Sequence, residues 1–522
     1  MESELEVMNY SETVTKEIVG QKSIFSNYAF ILLRTFFISG VSFISTVLIY
    51  RVLSVNSVGQ AAIYVAVLNG ITGLFLIWPV NGLMQFGRVE YDQEKRLEET
   101  FASTLVPMVM LFIISTVVCI FLQNTLMGYL RLPNEWLWLL IINMLFIMLN
   151  KILNQVFYIT ASIPLLSILD LLEHLLMLIF LVYFWVTVGT IPITTYLLVY
   201  ASLSAVTFFF YLFFSRKYIF PFRWSFPQTK RILRFAGFLY GAAIFSFIYE
   251  QFDYLIINHY RTPEQLAYYS LAFRVYTFIT MLPLLSINII YPIMISYRNL
   301  GREDLFQKYS SRTVTQMLFF WTIVCITFLL VIPFLIPLLF GAPYRYSIPS
   351  LSLFCLSAIF QFTIACNSPI IISHERVDWS MKVGLIGTII IAVGVLILIP
   401  LMGILGAALA TLISYIFNSL AYSYLTATLV KGRYKGYEII MALFCIPMVV
   451  VTIAQLSFVI RILTFGLELA GMLWWSYRHG VFDTADLFFL EHVSFPGPLR
   501  KVIYTVFSWL EPSDKMLKGI AP

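Results

Sequence analysis

Long apolar runs dominate this sequence and constrain its fold more than any other feature. They are about 20 residues or longer, the length an α-helix needs to cross the roughly 30 Å hydrocarbon core of a membrane. With 60% hydrophobic and 11% charged residues, the chain could not cover itself with polar surface in water. Because hydrocarbon leaves backbone N–H groups without outside partners, each run is predicted to be a helix. The sequence therefore predicts an all-α polytopic membrane protein.

The apolar runs predict about fourteen transmembrane helices. Their centres fall near Phe37, Thr72, Leu111, Met144, Leu176, Ala201, Phe245, Ile279, Ile326, Ile359, Ile391, Ile413, Pro447 and Gly466. The polar residues Gln455 and Arg461 mark where the last two are separated.

Lysine and arginine are unevenly divided between the two sides of this predicted topology. Of the 33 Lys and Arg residues, 25 fall on the side of the N-terminus, 5 on the other side and 3 inside helices. Cytoplasmic segments of membrane proteins carry such an excess. We therefore expect a multi-pass protein of the cell membrane with a cytoplasmic N-terminus. No basic and aromatic patch favours nucleic acid as a partner.

The most basic loop, residues 216–234, is predicted to link two six-helix halves on the cytoplasmic side. Halves of this kind are common in transporters, where the substrate site lies between them. The predicted organisation is a cytoplasmic segment at 1–24, six-helix bundles at 25–222 and 223–434, two further transmembrane helices at 435–478, and a cytoplasmic or interfacial tail at 479–522. Within that tail, residues 499–510 are expected to lie on the membrane surface as an amphipathic helix.

Ionisable residues at bilayer depth are functional candidates, because they are costly there unless paired or hydrated. Asp253 and Arg274 lie at similar distances from the turn between predicted helices seven and eight, so they could pair. Lys151 and Asp170 are related in the same way across the turn between helices four and five. Each pair is read either as a structural salt bridge or as part of a transport path.

Two further candidate sites each contain a charged residue for which the sequence predicts no partner of opposite charge. Glu250 precedes Asp253 by three residues, so both are predicted to share a helix face that could hold a proton or Na⁺, unless one carboxylate simply stays protonated. Arg34 has no acid at matching depth in its own hairpin. It is expected to face water or an anion, with snorkelling to the headgroups as the alternative.

Catalytic patterns are missing from the sequence. It contains no Gly-rich phosphate loop, no metal-binding spacing and no nucleophile elbow. We therefore expect neither an enzyme nor a bound metal or cofactor. The carboxylates suggest that the activity of the protein could be coupled to H⁺ or Na⁺.

Residues 249–258, 262–274 and 403–411 carry a recognisable pattern. The second of these begins Thr262-Pro263-Glu264-Gln265-Leu266-Ala267-Tyr268-Tyr269. In this pattern and in helix number, the chain resembles the polysaccharide-biosynthesis branch of the multidrug/oligosaccharidyl-lipid/polysaccharide exporter superfamily, the oligosaccharide-lipid flippases.

The resemblance implies two six-helix bundles around a central cavity, followed by two extra helices. It also implies a polyprenyl-phosphate- or pyrophosphate-linked oligosaccharide as substrate, moved to the outer leaflet by alternating access. Arg34, Arg51 and Arg274 match cavity arginines that attract the phosphate in relatives, and we add Lys151 as a further substrate-binding candidate. Thr35 stands where the peptidoglycan-precursor branch has an acid, so that substrate is not expected.

Two other functions remain open at this stage. A cation-coupled drug antiporter of the same superfamily would depend on Glu250 and Asp253 rather than on the arginines. A membrane glycan polymerase or ligase would need a sizeable outer loop, and every predicted outer loop is short. As partners we expect the lipid-linked oligosaccharide, membrane lipids and glycan-assembly proteins, with the chain acting as a monomer.

Overall fold

The structure is a computed structural model that describes residues 35–299, 301–431 and 436–482. The described residues form helices joined by turns, with no strand among them, so the predicted all-α membrane fold is confirmed. The predicted N-terminal segment, Arg34 and the interfacial helix at 499–510 lie outside the described residues.

Eighteen α-helices follow one another along the described chain. They are α1 Thr35–Val52, α2 Val55–Ile71, α3 Val80–Glu94, α4 Glu98–Phe121, α5 Gln123–Leu130, α6 Trp136–Ile159, α7 Ile163–Thr187, α8 Ile193–Ile219, α9 Phe226–Glu250, α10 Phe252–Tyr260, α11 Pro263–Asn299, α12 Glu303–Lys308, α13 Val314–Phe340, α14 Ile348–Ser373, α15 Val377–Met402, α16 Ile404–Leu429, α17 Tyr437–Ile453 and α18 Phe458–Arg478. π-helical turns at Thr72–Leu76 and Tyr309–Thr313 continue α2 and precede α13.

Each predicted helix centre lies within one of these helices or their π-helical continuations. Among the described residues, 11 helices are long and apolar enough to cross a membrane, and α9, bent by 47°, brings the number to 12 if it counts as one span. The long α11 and the shorter α17, with 17 residues, occupy the two remaining predicted positions. The chain is a multi-pass membrane protein.

The helices group into two compact units, one ending at Gln251 and the other beginning at Phe252. In unit 1, α6 packs against α8, α3, α4 and α7. Helix α9, which follows the basic linker, also packs against α3 and α4. Its Ile232 lies directly over Gly82, where an added Cβ would come within 2.7 Å of the isoleucine.

A buried acid fixes the basic linker to unit 1. Glu98 at the start of α4 is 2% exposed, and its carboxylate pairs with Arg96 at 2.6 Å and Arg223 at 3.0 Å. The Leu97 N–H donates to the Tyr218 carbonyl at 2.7 Å. The turn between α3 and α4 therefore contacts the linker at two points, Tyr218 and Arg223, before the chain enters α9.

In unit 2, α14 is the central helix. It packs against α11, α13, α16 and α17, and most of its length is buried. Only a small part of α15 and α18, by contrast, is buried. Exposed side chains on these outer helices include large apolar ones such as Ile389 and Leu467, as expected for a surface that contacts acyl chains rather than water.

Small residues allow α15 and α16 to approach closely. A Cβ added to Gly394 would lie 2.9 Å from the Cβ of Ala410. At Gly406 an added Cβ would overlap the backbone carbonyl of Leu398. Glycine is the residue that permits this backbone contact, as is common between membrane helices.

We expect Gly406→Ala to destabilise the protein by about 1–3 kcal/mol or more, because rigid backbone cannot move aside for the new methyl group. Thermal unfolding of the purified protein in detergent measures the effect. Gly384→Ala in α15 is the matched control, since nothing lies within 4 Å of its added Cβ. Equal unfolding temperatures for the two variants would contradict the close α15–α16 contact.

Candidate functional site

Unit 1 contains a polar cluster, formed by side chains of α6, α7 and α8 inside the apolar bundle. The Tyr211 hydroxyl donates to the Asp170 carboxylate and is also hydrogen-bonded to Asn154. Glu173 lies one turn beyond Asp170 on α7, and Thr207 of α8 is its neighbour. Three helices are thus joined by polar side chains at membrane depth, where few other partners exist.

Asparagines on α6 extend this cluster along the helix. The Asn143 amide donates to the Tyr64 hydroxyl at 2.8 Å, which links α6 to α2. The Asn150 amide donates to the Ser204 carbonyl of α8 at 2.9 Å. The asparagines Asn143 and Asn150 of α6 therefore bond across helices.

Lys151 occupies the edge of the polar cluster. It is exposed, and it interacts electrostatically with Glu173. Asp170 instead uses its carboxylate to accept the Tyr211 hydrogen bond. Equal depth across the α6–α7 hairpin predicted a Lys151–Asp170 pair, and in the structure the Tyr211 hydroxyl is a partner of that acid.

In unit 2, Asp253 is the most deeply buried of the predicted site residues. Its side chain is 3% exposed and accepts hydrogen bonds from the Tyr269 hydroxyl and, at 2.8 Å, from the Tyr254 N–H. These two donors, rather than Arg274, satisfy the carboxylate. Arg274 follows Tyr269 by five residues, which turns it by about 140° around α11, and its side chain is exposed. The predicted Asp253–Arg274 pair is therefore not formed.

Glu250 and Asp253 do not share a helix face. The helix breaks at Gln251, so Glu250 ends α9 and Asp253 lies in α10. Glu250 is exposed whereas Asp253 is buried. The predicted two-carboxylate stripe assumed one continuous helix, whereas the structure has a helix break between the two acids.

The predicted substrate-binding cations share one property. Arg51 at the end of α1, Lys151 in α6 and Arg274 in α11 are all exposed. Arg34, the fourth, lies outside the described residues. The structure thus leaves each described cation at a surface of its own unit, while the carboxylate of Asp253 is enclosed.

Sequence inspection missed an acid in the last described helix. Glu468 of α18 is 5% exposed and accepts a hydrogen bond from the Met448 N–H of α17 at 2.7 Å. Pro447 interrupts the hydrogen-bond ladder of α17 immediately before this residue. The sequence did contain a signal for this site: a single acid within one apolar run, with a proline in the apolar run that precedes it. Among the described residues, no group of three or more His, Cys, Asp or Glu could hold a metal ion.

No protein-family model and no curated protein matches this chain. Among solved structures, it is similar to the lipid II flippase MurJ in an inward closed conformation, with 15% identity, a TM-score of 0.65, and coverage of 86% of this chain and 98% of that one. It is also similar to an inward-facing multidrug resistance MATE family transporter of the MOP superfamily, with 14% identity, a TM-score of 0.56, and coverage of 76% of this chain and 95% of that one. At these identities the likeness concerns architecture, and this chain has the fold of these two membrane transporters.

Proposed function

We propose that this protein is a transporter that moves a polyprenyl-phosphate- or pyrophosphate-linked oligosaccharide from the cytoplasmic to the outer leaflet by alternating access. The fold supports a transporter, because both similar structures are transporters by their descriptions. The pattern at residues 262–274 supports the oligosaccharide-lipid branch of the same superfamily.

The observation that carries the proposal is exposed positive charge along membrane helices. Arg274 lies about 16 Å along α11 from its start, and Lys151 lies about 12 Å before the end of α6. Both side chains are exposed. A cation at such depth is costly against acyl chains, so contact with water or an anion accounts for its exposure.

A lipid-linked sugar supplies the anion that such cations would bind. Its phosphate and sugars cannot cross hydrocarbon unaided, so a carrier must offer a hydrated, cationic surface. Arginine suits this role because its guanidinium stays charged and binds phosphate oxygens in pairs. Arg51 and, from the sequence pattern, Arg34 are further candidates for phosphate binding.

Cation-coupled drug antiport is the second candidate function. The buried Asp253 and the likeness to a multidrug transporter favour it. Under the proposed function, Asp253 and Glu250 remain candidates for coupling transport to H⁺ or Na⁺. A polymerase or ligase finds no support in the outer turns, such as the single Gly403 between α15 and α16.

In liposomes containing the purified protein, we expect a labelled polyprenyl-pyrophosphate-linked oligosaccharide to be flipped. Arg274→Ala and Lys151→Ala should each lower the initial rate by about tenfold or more, because the phosphate loses a charged partner. The rate is measured from the label that becomes accessible to an enzyme added outside.

Arg302→Ala is the matched control, because this exposed arginine pairs with Asp304 at 2.8 Å in the turn after α11. It should flip at the wild-type rate. Wild-type rates for both Arg274→Ala and Lys151→Ala would contradict the cationic surface. If the wild-type protein moves no lipid-linked sugar but exports a cationic dye, the antiporter is favoured instead.

For ion coupling, we expect Asp253→Asn to abolish the stimulation of flipping by an imposed H⁺ or Na⁺ gradient. The amide keeps the shape of the side chain but cannot exchange a proton or attract a cation. Flipping with and without the gradient is compared in the same liposomes.

Tyr269→Phe serves as the control for a purely structural role. It removes the hydroxyl that donates to Asp253 but keeps the carboxylate. If Asp253 couples transport, the Tyr269→Phe variant still responds to the gradient. A full gradient response in Asp253→Asn would assign the residue to packing of α10 against α11.

A further inference from the structure

Three turns of unit 2 meet around a cavity of 310 Å³. They are the turns between α10 and α11, α13 and α14, and α15 and α16. The cavity, which we call the outer pocket, is lined by Arg261, Gln265, Tyr346, Ser350 and residues 401–405. Its volume is at the lower end of the range of about 300–1,000 Å³ found for small-molecule sites. The distribution of Lys and Arg predicts that this end of the unit faces outside.

A cationic side chain holds two of these turns together. The guanidinium of Arg261 donates to the carbonyls of Ile399 at 3.1 Å and Pro400 at 2.9 Å, near the end of α15. Gly403 follows with a φ of +64°, a conformation that favours glycine, and an added Cβ would lie 3.2 Å from the Arg261 Nε. The floor of the outer pocket is thus built from fixed backbone and a positively charged side chain.

One wall of the outer pocket is aromatic. Tyr346 is 67% exposed, whereas Tyr344, two residues before it, is buried. Its ring lies 5.4 Å from the ring of Tyr268, which in turn lies 6.1 Å from the ring of Tyr344. Neighbouring rings thus support the exposed ring from one side and leave its surface available.

Buried polar atoms without a hydrogen-bond partner occur among the described residues that line the outer pocket. They include the Gln265 Oε1 and the Ser350 Oγ, and Ser350 is fully buried. A buried polar group without a partner is unfavourable, so such groups usually mark the place of a ligand, a water molecule or a second conformation. The amide oxygen can accept a hydrogen bond, and the hydroxyl can donate one.

These features define the chemical class of the ligand. None of the described residues that line the pocket is acidic, which disfavours a metal cation. An aromatic face suits the C–H surface of a pyranose ring, while the amide, hydroxyl and guanidinium groups suit its hydroxyls. We propose that the outer pocket binds one pyranose ring of the transported glycan after it reaches the outer side. This proposal rests on the proposed function, and it assigns a role to Gln265 and Tyr268 in the recognisable 262–274 segment.

The test measures binding of free sugars to the purified full-length protein in detergent by saturation-transfer NMR. The probes are the methyl glycosides of glucose, N-acetylglucosamine and glucuronic acid. We expect at least one to bind the wild type, and Tyr346→Ala and Gln265→Leu to weaken its apparent affinity by about fivefold or more. Tyr424→Ala is the matched control, since Tyr424 in α16 is 64% exposed and is not among the lining residues.

Several outcomes would overturn the sugar site. They are wild-type affinity in both pocket variants, no binding of any of the three glycosides, or displacement of the bound glycoside by inorganic pyrophosphate, which would indicate an anion site. Flipping is measured on the same preparations to separate the two proposals. If the pocket variants lose glycoside binding but the wild type flips no lipid-linked sugar, the pocket stands and the proposed function fails. If the wild type flips the lipid-linked sugar and the pocket variants bind glycosides normally, the proposed function stands and the sugar site fails.

Discussion

The absence of hydrogen-bond partners in hydrocarbon is the constraint on which this structure depends. Backbone groups meet it within each helix, so the membrane part of the chain is helical throughout the described residues. Polar side chains also need hydrogen-bond partners, and in hydrocarbon these partners are other polar groups of the same unit. Tyr211 with Asp170 in unit 1 and Tyr269 with Asp253 in unit 2 are the result, and each bond joins two helices. The same requirement explains why Glu468 reaches the backbone beside Pro447.

Acidic and basic side chains differ in how they are accommodated where hydrocarbon offers no hydrogen-bond partners. The carboxylate of Asp253 is enclosed and satisfied by tyrosine and backbone donors. Lys151 and Arg274 are exposed, and their long side chains carry the charge further from the helix axis than a short aspartate does. This arrangement suits a protein whose substrate is an anion and whose carboxylates serve another purpose.

The helices could be predicted from the sequence because the length and polarity of a run decide whether it spans the membrane. The ion pairs could not, because depth along a hairpin says nothing about direction around the helix axis. Arg274 lies at the depth of Asp253 but on another face, and Tyr269, an unremarked residue of the 262–274 segment, takes its place. The break at Gln251 was equally hidden, since residues on both sides of it have helical character. The outer pocket depends on three turns that are far apart in sequence, and only tertiary structure brings them together.

Accessibility of the membrane-embedded cations to water tests the central claim most directly. Single cysteines can be introduced at Lys151 and Arg274, and at the exposed apolar positions Ile179 and Leu467. The five native cysteines are buried, so they contribute little background to labelling. If the cations line a hydrated path, a charged methanethiosulfonate reagent labels Lys151→Cys and Arg274→Cys rapidly and leaves Ile179→Cys and Leu467→Cys unmodified. Labelling of Lys151→Cys and Arg274→Cys as slow as that of the two apolar positions would place the cations against lipid and contradict the claim.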